Sequence, residues 1–252
     1  MDLQLDALQI EDFYNLISHS KLHPPGQDLV GPPTPLCCPV QTPQEASTRL
    51  AFHFAKQRAR FLGDPTVRYM KVVDRGRSNS IISIARWHYY PQGYKFESEI
   101  HWETHDLPNS NVPVESHDQG QAPTQEQAQQ IPKDFNIPLH NHILRTRDRA
   151  RASWIPANEP CWILMHMVTH PSHRGKGAAG MLIQWGIEQA EKDRVPAYLE
   201  AGVMGRPIYE RHGFVQVGEP LKVNLEGYGG VGTFVMCTMA YVPKWKGARR
   251  EV

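Results

Sequence analysis

The stretch that most constrains this chain is a nine-residue apolar run, Cys161-Trp162-Ile163-Leu164-Met165-His166-Met167-Val168-Thr169, which stops at His170-Pro171 and gives way to glycines. A continuous apolar run of that length predicts a buried strand. Gly175-Lys176-Gly177-Ala178-Ala179-Gly180 follows as a turn, and Met181, Leu182, Trp185, Ile187 and Ala190 then cluster on one helical face. A strand, a glycine turn and a helix in that order make an anion site. The first amides of the helix lack acceptors, the helix dipole favours negative charge there, and glycine lets a phosphate approach the backbone.

Which phosphate is a matter of spacing. Nucleoside triphosphates call for GxxxxGK followed by Ser or Thr, and Gly175-Lys176-Gly177 has neither that spacing nor the hydroxyl. The dinucleotide pattern GxGxxG is met formally by Gly175 to Gly180, and a carboxylate, Glu200, stands about 20 residues on. A nicotinamide site therefore stays open on the motif. Against it, only about 70 residues remain after the loop, too few to complete a doubly wound domain, and no repeated strand–helix pattern precedes it.

The rest of the 252-residue chain sets limits. Its 27 basic and 26 acidic residues nearly cancel, so bulk electrostatics predict neither nucleic-acid nor membrane-surface binding, and the basic tail Lys244 to Arg250 reads as a solvated end. Four cysteines without CxxC or framework spacing, and an N-terminus with neither a basic nor an apolar leader region, predict a reduced, cytoplasmic protein. The closest histidine pairs, His101 with His105 and His140 with His142, lack the partners of a metal set, so no metal is expected.

Along the chain, residues 2–8 and 10–17 read as a short strand and a helix, and residues 23–43, with seven prolines, as a loop. A long helix runs from Pro43 to about Leu62, and the β-branched segments Val67 to Val73 and Ile81 to Trp87 form a hairpin. From about 103 to 137 the chain is Gln-, Pro- and Asp-rich with few large apolar residues, and is expected to be a mobile insertion. Residues 139–152 predict a short basic helix whose Arg145, Arg147 and Arg149 form a solvated face, with a substrate-facing row as the alternative. Strands are expected at Ala197 to Ala201, Gly213 to Val217 and Thr233 to Tyr241, with a helix near Ile208 to Arg211.

Two motifs together resemble one family. Arg174-Gly175-Lys176-Gly177-Ala178-Ala179 fits the R/Q-x-x-G-x-G/A signature of the GNAT acyltransferases, and Tyr209-Glu210-Arg211-His212-Gly213-Phe214 fits their downstream Y-x-x-x-G-F, about 35 residues away. The resemblance spans roughly 160 to 217 and 65 to 90. It extends to fungal-type small GNAT proteins at Lys71-Val72-Val73-Asp74, Ala85-Arg86-Trp87 and Thr169-His170-Pro171. It implies a single α+β domain over residues 1–252. Its central sheet would be mixed and mostly antiparallel, with two splayed parallel strands, flanking helices and a cofactor core at about 160–217.

The resemblance also implies roles. Acetyl-CoA would be the cosubstrate and an amine of a small molecule or peptide the acceptor. The backbones of Met167, Val168 and Thr169 would hold the pantetheine, and the Met167 amide would serve as oxyanion donor. Arg174, Gly175, Lys176, Gly177, Ala178, Ala179 and Gly180 would hold the pyrophosphate. Tyr209 takes the general-acid position, since a phenol with pKa about 10 stays protonated. Glu200 is a candidate base, directly or through water, or equally a structural strand residue; His166 reads as a buried histidine with a catalytic role as the alternative, and a water chain alone could also serve. One departure is Gly202, where the family often has a cofactor-contacting asparagine seven positions before the tyrosine. A module that binds acyl-CoA and a protein partner without turnover is the competing expectation. Aromatic residues such as Trp87, Tyr89, Tyr90 and Trp102 lean toward an aromatic or apolar acceptor.

Overall fold

The β-branched and aromatic residues of Val67–Asp74 (β2) and Ser80–Tyr90 (β3) pair antiparallel across a turn in which Ser78 and Asn79 are left-handed. The computed structural model describes residues 2–20, 27, 29–94 and 132–243, with the backbone alone at 17–20. Leu3–Ala7 (β1) pairs with β2 on the outer edge, and Cys161–Thr169 (β4) lies antiparallel to β3 on the inner one. Ala197–Gly202 (β5) runs parallel to β4. Val215–Gln216 (β6) and Leu221–Asn224 (β7) both pair antiparallel with Thr233–Tyr241 (β8), which also pairs with β5. The order is β1-β2-β3-β4-β5-β8-β6, with β7 also on β8. A single parallel pair in an otherwise antiparallel sheet is the architecture implied by the motifs. Among the described residues it leaves no doubly wound dinucleotide domain, which requires successive parallel strands.

Strand alternation sends side chains to two faces. On one face lies Ala178–Asp193 (α5), whose Leu182, Ile183, Ile187 and Ala190 pack with Trp87, Leu164, Leu199 and Met239. On the other lie Asp12–Ser20 (α1) and Pro43–Gly63 (α3), where Phe13, Leu16, Leu50 and Phe54 meet Tyr69, Val73 and Ile84. The start of α3 is set by sequence, with Pro43 in the first turn and a reciprocal capping box between Thr42 and Glu45. Ile137–Trp154 (α4) covers the second half of this same face, its Leu139 and Ile143 packing with Val223 and Met236.

Several expectations change. The basic helix is 18 residues long, and Arg147 and Arg151 turn inward where a solvated face was expected. Residues 95–131 of the expected insertion lie outside the described residues, as do Trp102, the His101/His105 pair and the basic tail. Its end at 132–136 is packed: Phe135 is buried against Phe52, and the Asn136 amide donates to the Cys37 carbonyl at 2.7 Å. The proline-rich loop contains a single helical turn, Thr34–Cys37 (α2), and β7 had no expectation at all. All four cysteines are buried and unpaired with one another. Among the described residues, no helix is long and apolar enough to cross a membrane, and no three metal-binding side chains converge.

Candidate active site

The two parallel strands form a fork. β4 and β5 pair only where Trp162, Ile163 and Leu164 lie opposite Ala197, Tyr198 and Leu199. On the other side of β4 the partner of Trp87 is Leu164 while that of Arg86 is His166, so Met165 is the extra residue of a bulge. A bulge bends and twists the strand that carries it, and β4 leaves β5 at this residue. Exposure follows: Cys161 to Leu164 are buried, whereas Met165 to Thr169 are all partly exposed.

The direction of the backbone groups in the open arm can be worked out. The His170 amide donates to the Ile82 carbonyl at 2.8 Å. Successive amides in a strand alternate in direction, so that of Val168 also faces β3, while those of Met167 and Thr169 face the gap. Of the three backbone positions expected to hold the pantetheine, Val168 therefore serves the β3 ladder instead. Its carbonyl also accepts from the Ser83 hydroxyl at 3.0 Å.

The open arm leads into the glycine turn. Gly175 and Gly177 have φ +74° and +91°, which glycine alone adopts without strain, and a Cβ built on either would meet nothing within 4 Å. Gly177 is the N-cap of α5 and no side chain caps the helix, so the amides of Ala178, Ala179 and Gly180 lack helical acceptors. Lys176 Nζ donates to the Ser172 carbonyl at 2.9 Å, which folds its charge back over the turn. Arg174 Nε reaches the Thr169 carbonyl only at 3.5 Å.

Tyr209 sits in the short helix Arg206–Arg211 (α6), buried edge-on against Phe214 at 6.1 Å. Burial pushes its phenol well above the ordinary value. Its hydroxyl makes no hydrogen bond among the described residues. The turn before α6 is glycine-lined: Gly205 lies against the Tyr209 ring, and nothing stands within 4 Å of a Cβ at Gly202.

Glu200 is engaged. Its carboxylate accepts from Arg151 Nε at 2.7 Å and Nη2 at 2.6 Å, with both side chains buried. Burial alone would raise its pKa, but the Arg151 charge and hydrogen bonds outweigh this and hold it below the ordinary carboxylate range. A general base needs a free lone pair and a pKa near the working pH, so this geometry argues against that role. His166 points to the opposite side of β4 from α5, beside the His53 ring, and its Nε2 accepts from the Gly31 amide at 3.2 Å. Burial, with Arg86 and Arg60 nearby, pushes its pKa down to about 3. Sequence reasoning missed Arg151, although Leu144, Asp148, Arg151 and Ile155 share the i, i+4, i+7, i+11 spacing of a buried stripe.

Residues 143–216 match the acetyltransferase (GNAT) domain model. The structure of histone acetyltransferase HPA2 and related acetyltransferase from Corynebacterium glutamicum is similar over 96% of this chain and 97% of its own, with 17% identity and a TM-score of 0.50. Arabidopsis thaliana NAA60 in complex with acetyl-CoA aligns over 95% of this chain and 98% of its own, at 12% identity and a TM-score of 0.47. At such identities the likeness concerns the fold.

Proposed function

We propose, from the match of residues 143–216 to the GNAT acetyltransferase domain model, that the protein is an N-acetyltransferase that moves the acetyl group of acetyl-CoA to an amine of a small molecule or peptide. The observation that carries the reading is the fork: one strand pairs on a single side past Leu164, turns the Met167 and Thr169 amides into a gap, and runs into an uncapped helix start.

The residues present fit the cosubstrate. Acidic phosphates match the turn Gly175 to Gly180, where open space and positive φ leave the backbone approachable, with Arg174 and Lys176 adding positive charge. An amide-bearing arm can complete the missing ladder on β4 through Met167 and Thr169. Bound acetyl-CoA supplies a thioester; the acceptor nitrogen bonds to its carbonyl carbon as the carbon–sulfur bond breaks. The Met167 amide is placed to stabilise charge developing on the carbonyl oxygen. Tyr209, protonated and without a competing partner, gives its proton to the departing thiolate. Glu200 and His166 are both engaged, so we assign the proton lost by the amine to water.

Titration calorimetry with acetyl-CoA and thiol release across a panel of amines test this together. No heat at millimolar cofactor refutes the site, and binding without thiol release on polyamines, arylamines, amino acids and peptides would favour a sensing module.

A further inference from the structure

The fork is bridged on one face by a side chain. Beyond the last paired residues, Leu164 and Leu199, the next residue on each strand is Met165 and Glu200, and both face α4. The guanidinium of Arg151, wholly buried, reaches both: Nη2 lies 2.6 Å from Glu200 Oε2 and 3.1 Å from Met165 Sδ, while Nε lies 2.7 Å from Glu200 Oε1. Nη1 donates to the Tyr94 hydroxyl at 3.0 Å, and the guanidinium carbon stands 5.2 Å from the centroid of that ring. Asp148, one turn earlier on α4, is 3.9 Å from Nη1. The group is thus clamped from β4, from β5, from the segment after β3 and from its own helix.

Two parallel strands with idle amides and carbonyls on facing edges tend to go on pairing, since unpaired backbone groups are costly when buried. Something must keep β4 and β5 apart past Leu164. The bulge at Met165 turns the strand, and a rigid planar cation bridging the two strands at their first unpaired step fixes how far. We propose that Arg151 is a positioning residue: a wedge from α4 that sets the width of the β4–β5 gap and so keeps the Met167 and Thr169 amides available to acetyl-CoA. Glu200 is its anchor. This inference rests on the fork being the cofactor site.

The test separates the wedge from stability and from the proposed function. A buried ion pair replaced as a whole by apolar side chains is often tolerated, so the double variant Arg151→Met/Glu200→Leu is expected to fold. Hydrogen–deuterium exchange on the ligand-free protein then reads the gap-facing amides of Met167 and Thr169 directly, with the Val168 amide on the β3 ladder as internal reference. Wild type is expected to exchange fast there, and the double variant at least several-fold more slowly as the strands close; a merely destabilised protein would exchange faster. Arg151→Lys, which keeps the charge and loses the planar bridge, is the second variant, with the same direction and smaller amplitude. CoA affinity by calorimetry is expected to fall at least tenfold in the double variant. Unchanged or faster exchange at Met167 and Thr169 in folded variants overturns the wedge. Should wild type bind no CoA, the functional reading fails while the exchange measurement still decides the wedge.

Discussion

Replacing Gly177 by alanine separates the cost of a backbone conformation from the cost of filling a binding site. Gly177 has φ +91°, so an L side chain there is strained, yet nothing stands within 4 Å of the added methyl. The stability cost is then conformational alone, about 1–2 kcal/mol. For a domain near this size each kcal/mol lowers Tm by about 2–4 °C, so the variant should melt roughly 2–8 °C below wild type. The cofactor should register far more. The open space beside Gly177 is where the phosphates would approach the backbone, and a methyl group there is expected to weaken acetyl-CoA binding at least tenfold, about 1.4 kcal/mol. Gly186→Ala is the control. Its methyl would lie 2.1 Å from Trp87 Cζ2, where carbon contacts normally begin at about 3.5 Å. Displacing a buried tryptophan costs about 3 kcal/mol and the helical preference for alanine returns about 1 kcal/mol, leaving a net loss near 2 kcal/mol with cofactor affinity unchanged. Differential scanning fluorimetry and calorimetry on both variants suffice. Gly177→Ala binding acetyl-CoA as wild type does, with the expected stability loss, would refute the phosphate assignment.

Tyr209→Phe should lower kcat by about 100-fold or more while acetyl-CoA affinity changes less than threefold, because in the proposed mechanism the hydroxyl acts only on the leaving thiolate; equal turnover would remove the acid role. Glu200→Gln removes the carboxylate that pairs with the buried Arg151 charge, leaving Asp148 at 3.9 Å, and should cost up to about 3–5 kcal/mol at pH 7 in urea unfolding. The folded pKa of Glu200 lies below its unfolded value of about 4.3, so its contribution is present above that pH and fades as pH falls through the lowered folded value. Wild type and variant should therefore converge in acid. Burial and then nearby positive charge push His88 to about 2 and His166 to about 3, so both are neutral when folded and take up protons when unfolded near pH 6.5. Stability should fall by up to about 1.4 kcal/mol per pH unit per histidine as pH drops below 6.5. His88→Gln should flatten that slope by one proton, measured by urea unfolding between pH 5 and 7.5.

Much of the frame was legible locally. Pro43 and the Thr42/Glu45 box place the start of α3, and the final strand Thr233–Tyr241 has the expected bounds. Local signals failed where packing overrode composition. Gly213 to Val217 reads as the start of a strand, but the ladder with β8 covers only Val215 and Gln216, with one further bond from the Val217 amide to the Thr238 carbonyl at 2.9 Å. The Arg-rich stretch of α4 reads as a solvated face, yet Arg151 is enclosed because a carboxylate 49 residues away meets it.

The sequence by itself determined the strand, glycine turn and helix start to which the proposed donor is assigned. The apolar run, the glycines with their positive φ and the helix that follows are contiguous, and their chemistry depends on backbone geometry that neighbouring residues impose. Tertiary structure alone decided which amides face the gap and what became of Glu200. The first depends on the bulge at Met165 and the register with β3, because a one-residue shift in a strand reverses every amide after it. The second depends on an arginine delivered by a helix from a different part of the chain. A carboxylate on a strand is a base or an anchor according to what faces it, and its own neighbours in sequence do not say which.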